Sequence, residues 1–406
     1  MTQVTQAVIF CGGRGTRLGS ITKKIPKPMV MVSGKPFLEH LIIQLKKNGI
    51  KNFLLLTGYK HNIIKRYFKN GNALKVKITY SYNSPETKTG LRLYSAKKLI
   101  HKRFILLYSD NYTSINIYKL NKNFEKNKKK ILLVLVKKNY GNCSYNSVTQ
   151  DSKYFLKRSK KNSFVEIGYM IMEQNLLKKL GKNNLDFSEY LKFLSDNKKI
   201  SGFVQNDFYL SIGDKKRLLE TSKYFANNKY ILIDRDGVLN INLGKGKYVT
   251  NLNEIKINMS MLSKLKKISN YFKFICISNQ AGIALRLLNK LTLKKINKYI
   301  AKYFKSFGVD IVDFYISPDH YLSNSFYRKP NPGLFLKASK DYKFLLDKTL
   351  YIGDDKRDVK AAYNANTYIY YVGKDSLNKF ERKKYKNILI NNNLNKIINK
   401  KKRNDF

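Results

Sequence analysis

The 406-residue sequence contains no tryptophan, only three cysteines and seven prolines, and far fewer acidic than basic residues. Cys11, Cys143 and Cys276 stand far apart without a Cys-x-x-Cys pair, so we expect neither disulfide bonds nor a zinc site built on cysteine. No stretch approaches the ~18 consecutive apolar residues of a membrane-spanning helix, and the first residues lack the pattern of a secretion signal. We therefore expect a cytoplasmic protein without a membrane partner.

The shortage of acidic residues leaves a formal net charge of +53, from 80 Lys and Arg against 27 Asp and Glu. Such an excess suits a polynucleotide-binding protein, because clustered basic residues release counterions from a phosphate backbone. Here the lysines are spread along the whole chain among many Asn, Ile and Tyr, the bias of an A/T-rich coding sequence, and no nucleic-acid-binding motif is present. We favour this bias and expect no nucleic-acid partner, while the positive field would still attract phosphorylated substrates.

The length and the 43% of hydrophobic residues suffice for two domains, since one domain usually takes ~100–200 residues. Strands alternate with amphipathic helices from residue 6 onward, and a second such series starts at residue 230. This alternation predicts an α/β fold with two mostly parallel sheets covered by helices. We expect domains at residues 1–226 and 227–375 and a basic C-terminal tail at 376–406, whose basic block Lys400–Arg403 would be a solvated end.

A glycine-rich turn follows the first predicted strand, Gln6–Cys11. It combines three glycines with two basic residues: Gly12, Gly13, Gly15, Arg17 and Lys27. The glycines would let backbone N–H groups approach a phosphate chain, and the basic side chains would bind its oxygens. The spacing fits neither a Walker A loop nor a dinucleotide-binding motif. A tight turn with incidental basic residues would leave Pro26-Lys27-Pro28 unexplained, so we favour nucleotide binding.

These residues match the Gly-Gly-x-Gly-Thr-Arg-Leu and Pro-Lys-Pro motifs of the sugar-phosphate nucleotidyltransferase family, which the chain resembles over about residues 6–220. The resemblance implies a Rossmann-like mixed sheet and the attack of a sugar 1-phosphate on the α-phosphorus of a nucleoside triphosphate. Arg17 and Lys27 would then be catalytic, Asp110 would hold magnesium, and Glu166 and Gly168 would bind the sugar. The implied nucleotide-binding residues are Gly12, Gly13, Gly15, Thr16, Arg17, Lys27 and Gly90.

One departure from the family concerns its second metal ligand. The family usually carries an Asp-x-Gly near the end of this domain, and Ser211 takes the place of the aspartate. A hydroxyl is a much poorer magnesium ligand than a carboxylate. Three explanations stay open: Asp207 or Asp214 substitutes, Asp110 and the triphosphate hold the metal without it, or transfer is slow.

Two carboxylates separated by one residue, Asp234 and Asp236, follow the predicted strand Tyr230–Ile233. Gly237 supplies the turn that would direct both to one site. Asp234 would attack phosphorus to form an aspartyl phosphate, and Asp236 would protonate the leaving alkoxide and then activate water. Further along the chain lie groups suited to phosphate oxygens and magnesium: Ser278-Asn279-Gln280, Arg328-Lys329-Pro330 and Gly353-Asp354-Asp355 with Asp358.

Together these four segments resemble the haloacid-dehalogenase-like (HAD-like) phosphatases over about residues 229–373, and within them the histidinol-phosphate and heptose-bisphosphate branch. The resemblance implies a Rossmannoid parallel sheet. It implies magnesium held by Asp234, Asp236 and Asp354, and phosphate held by Ser278, Asn279 and Lys329. Members of the branch often carry a zinc loop of three cysteines and a histidine, of which only His320 is present. One histidine cannot hold a structural zinc, so we expect no zinc and a loop or substrate contact for His320.

The two implied reactions are consecutive, because a heptose 1,7-bisphosphate 7-phosphatase produces the heptose 1-phosphate that a nucleotidyltransferase activates. The first domain looks closest to the heptose 1-phosphate guanylyltransferases, which favours GTP. The sequence thus predicts a magnesium-dependent bifunctional enzyme of nucleotide-activated heptose biosynthesis. Another sugar 1-phosphate with CTP, UTP or ATP stays open, as do a first domain that only binds sugar nucleotides and the formation of a homo-oligomer.

Overall fold

The chain divides into two units, Met1–Ser222 and Lys223–Phe406. The computed structural model describes residues 3–127, 129–137, 147–148, 154–155, 164–181, 183–205, 209–244, 246–386 and 388–389. Cys11 and Cys276 are buried free thiols, and Cys143 lies outside the described residues. No helix in the described ranges combines the length and the apolar character needed to span a bilayer.

The first unit is built on a mixed sheet. Its described strands are β1 (Gln6–Cys11), β2 (Met31–Val32), β3 (Lys35–Pro36), β4 (Asn52–Thr57), β5 (Lys77–Tyr82), β6 (Arg103–Tyr108), β7 (Asn111–Thr113), β8 (Ile131–Lys137), β9 (Ser147–Val148), β10 (Tyr154–Phe155), β11 (Phe164–Glu173), β12 (Ile200–Gln205) and β13 (Tyr209–Ser211). The main sheet has the order β10-β9-β11-β6-β1-β4-β5, with β8 pairing both β11 and β12. Strands β1, β4, β5 and β6 are parallel, while β11 runs antiparallel to β6 and β8.

This topology brings two predicted site segments together. Because β1 and β6 are parallel neighbours, the turn that begins at Gly12 and the residues that follow Tyr108 lie at the same edge of the sheet. A small antiparallel ladder of β7 with β13 then pairs Asn111 with Ser211 at that edge. The end of the first unit is thereby brought next to Asp110.

Helices pack on this sheet through apolar stripes. They are α1 (Ser20–Lys24), α2 (Phe37–Lys47), α3 (His61–Phe68), α4 (Thr89–Ser95), α5 (Ile117–Lys126), α6 (Phe187–Asp196) and α7 (Lys215–Ala226). In α2, the buried Phe37, Leu41 and Leu45 recur every fourth residue and form one face. The division between the two units falls within α7, close to the join that we expected at residue 226.

The second unit has a fully parallel sheet. Its described strands are β14 (Tyr230–Ile233), β15 (Lys273–Asn279), β16 (Ile311–Ser317), β17 (Leu350–Gly353) and β18 (Tyr368–Tyr371), in the order β16-β15-β14-β17-β18. Its helices are α8 (Met259–Lys266), α9 (Lys290–Ser306), α10 (Gly333–Tyr342), α11 (Lys356–Ala365) and α12 (Lys379–Tyr385). Ile231 and Ile233 face one apolar core and Leu232 faces the other, which explains why the strand reads as an unbroken apolar run. The predicted fold class, a mixed sheet followed by a parallel sheet, is confirmed.

Part of the segment after residue 375, which we expected as a basic tail separate from the second domain, packs on the second unit. Leu377, Tyr385 and Ile388 are buried in the core on one face of the sheet. The N–H of Ile369 in β18 donates to the carbonyl of Ile388 at 2.8 Å, so the segment covers the open edge strand. The few apolar side chains among the lysines therefore determine where this segment packs. The basic block Lys400–Arg403 lies outside the described residues.

We predict that Tyr385→Ala destabilises the second unit by about 3 kcal/mol, because truncating a buried aromatic side chain loses its burial and leaves a cavity. The measurement is hydrogen exchange of β18 peptides at increasing urea concentration. Phe380→Ala on the same helix is the control, since Phe380 is 72% exposed and its removal should change stability by less than about 0.5 kcal/mol. Equal effects of the two substitutions would contradict the packing of α12.

Candidate active sites

The glycine-rich turn after β1 is shaped by close contacts. Gly15 has a φ of +67°, and a Cβ atom there would lie 2.8 Å from the Cβ of Lys27 and 3.2 Å from Cγ2 of Thr22. Any side chain at position 15 would therefore displace Lys27. Gly13, by contrast, is exposed, and a Cβ atom there would meet no atom within 4 Å. Thr16 and Arg17 follow as exposed residues of the single 3₁₀ turn Thr16–Leu18.

Lys27 and Asp110, both predicted site residues, form an ion pair. The Nζ atom of Lys27 lies 2.5 Å from Oδ2 of Asp110, and their side chains are 13% and 23% exposed. Asp110 lies two residues after the end of β6, and Lys27 follows the Gly-rich turn at the end of β1. The parallel pairing of these two strands thus produces the contact.

Arg92 is a buried residue that sequence reasoning missed. Its side chain is 2% exposed and donates hydrogen bonds to four backbone carbonyls, those of Thr57, Asn83, Ser84 and Thr87, at 2.6–3.2 Å. A Cβ atom on Gly12 would lie 2.5 Å from this guanidinium. Gly12 therefore permits Arg92 to tie the turn to the loop around residues 83–87. The sequence signal for Arg92 was weak, because a single arginine on a short helix is usually a charged residue on the surface.

The loop that precedes α4 also contacts the glycine-rich turn. Glu86 accepts a hydrogen bond from Ser84 and another from Arg14 at 2.6 Å, and these bonds, that from Ser84 most of all, lower the pKa of Glu86 to about 2. Gly90, for which we predicted nucleotide binding, lies buried in α4. Its N–H donates to the carbonyl of Leu185 at 3.0 Å, and a Cβ atom would lie 2.5 Å from that oxygen. Close packing against Leu185 therefore explains this glycine, and its amide is not available to a nucleotide.

Glu166 and Gly168 lie in an irregular stretch of β11, where its register with β8 shifts. Glu166 is 4% exposed and accepts a hydrogen bond from the N–H of Gly168. Burial, with a smaller contribution from the charge of Asp110, raises the pKa of Glu166 to about 7. Gly168 has a φ of +80°, and a Cβ atom there would lie 2.8 Å from the ring of Tyr108 and 2.9 Å from Nδ2 of Asn111. These contacts bring the predicted sugar-binding pair close to the strand end that carries Asp110.

Ser211 lies at the predicted second metal position but offers only a hydroxyl. It pairs with Asn111 in the β7–β13 ladder, is buried, and its Oγ atom accepts the N–H of Gly213 at 3.0 Å. Asp214 accepts the N–H of Arg217 at 2.9 Å and lies 3.3 Å from its guanidinium, so this carboxylate caps α7. Asp207, the other substitute that we considered, lies outside the described residues.

In the second unit, Lys329 is buried between two carboxylates. Its Nζ atom lies 2.8 Å from Oδ1 of Asp234 and 2.8 Å from Oδ1 of Asp358, and 2.9 Å from the hydroxyl of Tyr351. Burial alone would lower the pKa of Lys329, but the two carboxylates outweigh it and raise the pKa above its usual value. Lys329 therefore stays charged at neutral pH.

Three carboxylates form a candidate magnesium site. One oxygen each from Asp234, Asp354 and Asp358 lies within 4.8 Å of the others. Burial raises the pKa of Asp354 to about 6, with Asp358 adding to the effect, and burial also raises the pKa of Asp234. Hard carboxylate oxygens gathered in this way fit Mg²⁺, whose charge would relieve their repulsion. Gly237 makes room for the cluster, because a Cβ atom there would lie 1.8 Å from Oδ2 of Asp354.

The side chain of Asp236, which we predicted as a metal ligand, lies outside this cluster. Arg235 binds both of its oxygens at 3.0 Å, and Asn240 and Gln280 donate to them at 3.0 and 2.6 Å. Burial would raise the pKa of Asp236, but Arg235 and these hydrogen bonds lower it below its usual value. Arg235 thus holds this carboxylate outside the cluster, and Asp358 from α11 supplies the third oxygen. The sequence contained Asp358 but gave no means to rank it above Asp236.

Ser278 and Asn279 are the last two residues of β15 and lie at the same edge of the sheet as Asp234. The Oγ atom of Ser278 is buried and accepts a hydrogen bond from Gln280 at 2.9 Å. The amide of Asn279, for which we predicted phosphate binding, exchanges two hydrogen bonds with the backbone of Lys329, at 2.9 and 3.0 Å. Asn279 thereby fixes the position of Lys329. The loop residue His320 accepts the N–H of Leu322 at 3.3 Å and packs on Tyr321.

Residues 6–227 match the family model of nucleotidyl transferase. The chain belongs to the nucleotidyl transferase family. Residues 231–406 match the model of polynucleotide kinase 3 phosphatase. The protein is therefore an enzyme with a nucleotidyl transferase unit, Met1–Ser222, fused to a phosphatase unit, Lys223–Phe406. The predicted resemblances to a nucleotidyltransferase and to a phosphatase are confirmed.

Relatives of the nucleotidyl transferase unit include sugar-activating enzymes. A D-glycero-alpha-D-manno-heptose 1-phosphate guanylyltransferase of Campylobacter jejuni is 32% identical over 213 residues, which are 51% of this chain and 94% of that protein. A probable glucose-1-phosphate cytidylyltransferase of Bacillus subtilis is 27% identical over 252 residues, which are 56% of this chain and 98% of that protein.

A solved phosphatase structure also resembles part of the chain. This structure of D,D-heptose 1,7-bisphosphate phosphatase from B. bronchiseptica, complexed with magnesium and phosphate, has 24% identity and a TM-score of 0.34, covering 35% of this chain and 79% of that one.

The buried Glu166 gives a prediction about pH. A carboxyl whose pKa rises on folding favours the folded state while it is protonated, and this contribution is lost as pH rises through about 7. Protection of β11 in the nucleotidyl transferase unit should thus fall between pH 5 and pH 8, by up to about 3 kcal/mol, and Glu166→Gln should abolish this dependence. Hydrogen exchange of β11 peptides across this pH range measures it. The exposed Glu189→Gln is the control, and a wild-type pH dependence that survives in Glu166→Gln would refute the assignment.

The contact between Arg235 and Asp236 gives a second prediction, for the phosphatase unit. Arg235→Lys keeps a buried positive charge but loses the two-pronged contact that orients Asp236. If Asp236 protonates the leaving group, hydrolysis of an alkyl phosphate should slow by about 10- to 100-fold, while an aryl phosphate, whose leaving group needs no proton, should change by less than about threefold. Steady-state rates on the two substrates test this. A general packing defect would instead slow both substrates equally.

Proposed function

We propose that this chain carries out two consecutive steps in the synthesis of a nucleotide-activated heptose. Its phosphatase unit removes the 7-phosphate of a heptose 1,7-bisphosphate, and its nucleotidyl transferase unit then couples the heptose 1-phosphate to a nucleotide, with GTP as the favoured donor. The observation that carries the sugar and the base is the 32% identity to a heptose 1-phosphate guanylyltransferase, across 94% of that protein. The abundance of nucleoside triphosphates in the cytoplasm favours that compartment for both steps.

In the phosphatase reaction, Asp234 attacks the phosphorus and the bond to the sugar oxygen breaks, leaving a phosphate on the aspartate. Asp236 protonates the departing oxygen and then takes a proton from the water that hydrolyses the aspartyl phosphate. Lys329 and Ser278 bind the phosphate oxygens during both steps. Asp234, Asp354 and Asp358 would hold Mg²⁺, which supplies positive charge against the repulsion between carboxylate and phosphate. The support for these roles is the ion pair of Lys329 with Asp234 and the position of both at one sheet edge.

In the transfer reaction, a phosphate oxygen of the sugar 1-phosphate attacks the α-phosphorus of the triphosphate, and pyrophosphate leaves. Lys27 and Arg17 bind the triphosphate oxygens, Gly12, Gly13 and Gly15 let the backbone approach them, and Glu166 with Gly168 binds the sugar. Asp110 would hold Mg²⁺, which supplies charge compensation for the phosphates. The ion pair between Lys27 and Asp110 supports this arrangement, because it places a cation and a hard ligand at one point.

Two variants of this function can be tested. The cytidylyltransferase relative supports one of them, and Ser211 supports the other. The relative of Bacillus subtilis is matched over 98% of its length, so CTP with another sugar 1-phosphate is the alternative donor and acceptor. Ser211 in place of a carboxylate favours a slower transferase or a unit that only binds sugar nucleotides. A panel of GTP, CTP, UTP and ATP with pyrophosphate release distinguishes the donors. Binding of a triphosphate that stays intact would identify a binding unit.

A 3′-phosphorylated polynucleotide is the second candidate substrate of the phosphatase unit. The match of residues 231–406 to polynucleotide kinase 3 phosphatase favours it. Phosphate release from an oligonucleotide 3′-phosphate that falls steeply with salt would support this candidate over the sugar bisphosphate.

The proposal predicts separable activities in the full chain. Asp234→Asn should abolish phosphate release from heptose 1,7-bisphosphate and leave pyrophosphate release from GTP and heptose 1-phosphate within about twofold of wild type, because it removes only the nucleophile. Lys27→Ala should lower pyrophosphate release by about 100-fold and spare phosphate release. Mass spectrometry of the sugar products identifies each step. Each variant controls for the other, and loss of both activities in either one would refute two independent sites.

A further inference from the structure

A basic cavity of about 530 Å³ lies in the phosphatase unit, apart from the carboxylate cluster. Four basic residues line it: Lys374, Arg382, Lys383 and Lys386. One carboxylate, that of Asp375, is also among the lining residues. Within the described residues, no carboxylate forms an ion pair with Lys374, Lys383 or Lys386. The cavity therefore carries an excess of positive charge.

The cavity begins beside the candidate magnesium site. Gly373, one of its lining residues, packs so closely on the loop after β17 that a Cβ atom there would lie 2.0 Å from the carbonyl oxygen of Asp354. Lys374 follows the end of β18, which lies two strands from β14 and its Asp234 in the parallel sheet. With neighbouring strands ~4.8 Å apart, the two strand ends are about 10 Å apart at the same sheet edge.

The walls of the cavity are held by hydrogen bonds to the backbone. The hydroxyl of Tyr371 donates to the carbonyl of Asp375 at 3.0 Å, and Nε of Arg382 donates to the carbonyl of Leu377 at 2.9 Å. Lys356, at the start of α11, lies 3.5 Å from Glu381 in α12. This ion pair connects α12, which carries Arg382 and Lys383 of the cavity, to α11, which carries Asp358 of the carboxylate cluster.

We infer that this cavity binds the second, non-reacting phosphate of a bisphosphorylated sugar while the first phosphate meets Asp234. This inference rests on the proposed function and extends it to the choice of substrate. A phosphate monoester carries −1.5 to −2 charges at neutral pH, which suits a converging group of ammonium and guanidinium side chains. A sugar with phosphates at its two ends spans the distance between the strand ends. The phosphate held by the cavity stays on the product, so the site selects both a bisphosphate and the phosphate that is cut.

The test compares two substrates that differ only in the second phosphate. The full chain with Mg²⁺ is assayed on heptose 1,7-bisphosphate and on heptose 7-phosphate, as wild type and as the double variant Lys374→Ala/Lys383→Ala. Both lysines are exposed, so the fold should be retained. We expect kcat/KM for the bisphosphate to fall at least about 10-fold through KM, and that for the monophosphate to stay within about twofold. Lys264→Ala, an exposed lysine of α8 that does not line the cavity, is the control and should change neither value.

The outcomes separate this inference from the proposed function. Equal losses on both substrates, or no change on either, would overturn the inference while heptose bisphosphate remained a substrate. If wild type instead prefers another sugar bisphosphate over its monophosphate, the heptose assignment is wrong, and loss of that preference in the double variant still supports the cavity. A wild type without preference for any bisphosphate would overturn the inference, and so would a double variant that loses only the hydrolysis of an oligonucleotide 3′-phosphate.

Discussion

A buried lysine between two carboxylates determines the geometry of the phosphatase unit. Lys329 is 4% exposed and contacts Asp234 and Asp358 at the same distance of 2.8 Å. Without this ammonium, the buried carboxylates at one sheet edge would repel one another in a medium that screens charge poorly. Asn279 at the end of β15 fixes the backbone of Lys329, and Tyr351 in β17 contacts its ammonium. Together with Asp234, which follows β14, residues from three strands therefore hold this one ammonium group in position. Lys329 thereby holds Asp234, the nucleophile that we propose, at the edge of the sheet.

The nucleotidyl transferase unit uses the same device with fewer partners. Lys27 pairs with Asp110 across the ends of two parallel strands, and Gly15 leaves the space through which Lys27 passes. Here the pair is only partly buried, so solvent screens it more and the cost of holding the charges is smaller. The difference suits the chemistry proposed for each unit. A carboxylate that itself attacks phosphorus needs a dry, fixed setting, whereas a lysine that binds a triphosphate must remain accessible to a large ligand.

The sequence was sufficient to predict the candidate site residues that follow strands. It was insufficient to predict residues whose role depends on contacts with distant parts of the chain. Lys27 and Asp110, or Asp234 and Lys329, could be predicted because motifs at strand ends converge at one edge of a parallel sheet. The cluster contains Asp358 and not the side chain of Asp236, which Arg235 holds outside it. Gly90 looked like a ligand-binding glycine, but the carbonyl of Leu185, 95 positions further along the chain, explains its lack of a side chain. Neither contact leaves a local pattern in the sequence.

The scarcity of acidic residues makes their gathering in the phosphatase unit informative. The chain has 27 Asp and Glu against 80 Lys and Arg, yet three carboxylates meet within 4.8 Å of one another. Burial, with a smaller contribution from the charge of Asp358, raises the pKa of Asp354 and of Asp234, so keeping these carboxylates charged at this sheet edge is unfavourable. A compositional bias toward lysine does not produce such a cluster, and apolar residues of similar volume would stabilise the same positions better. The arrangement fits a ligand that offsets this repulsion, and a divalent cation with a phosphate is the ligand that we propose for the cluster and Lys329 together.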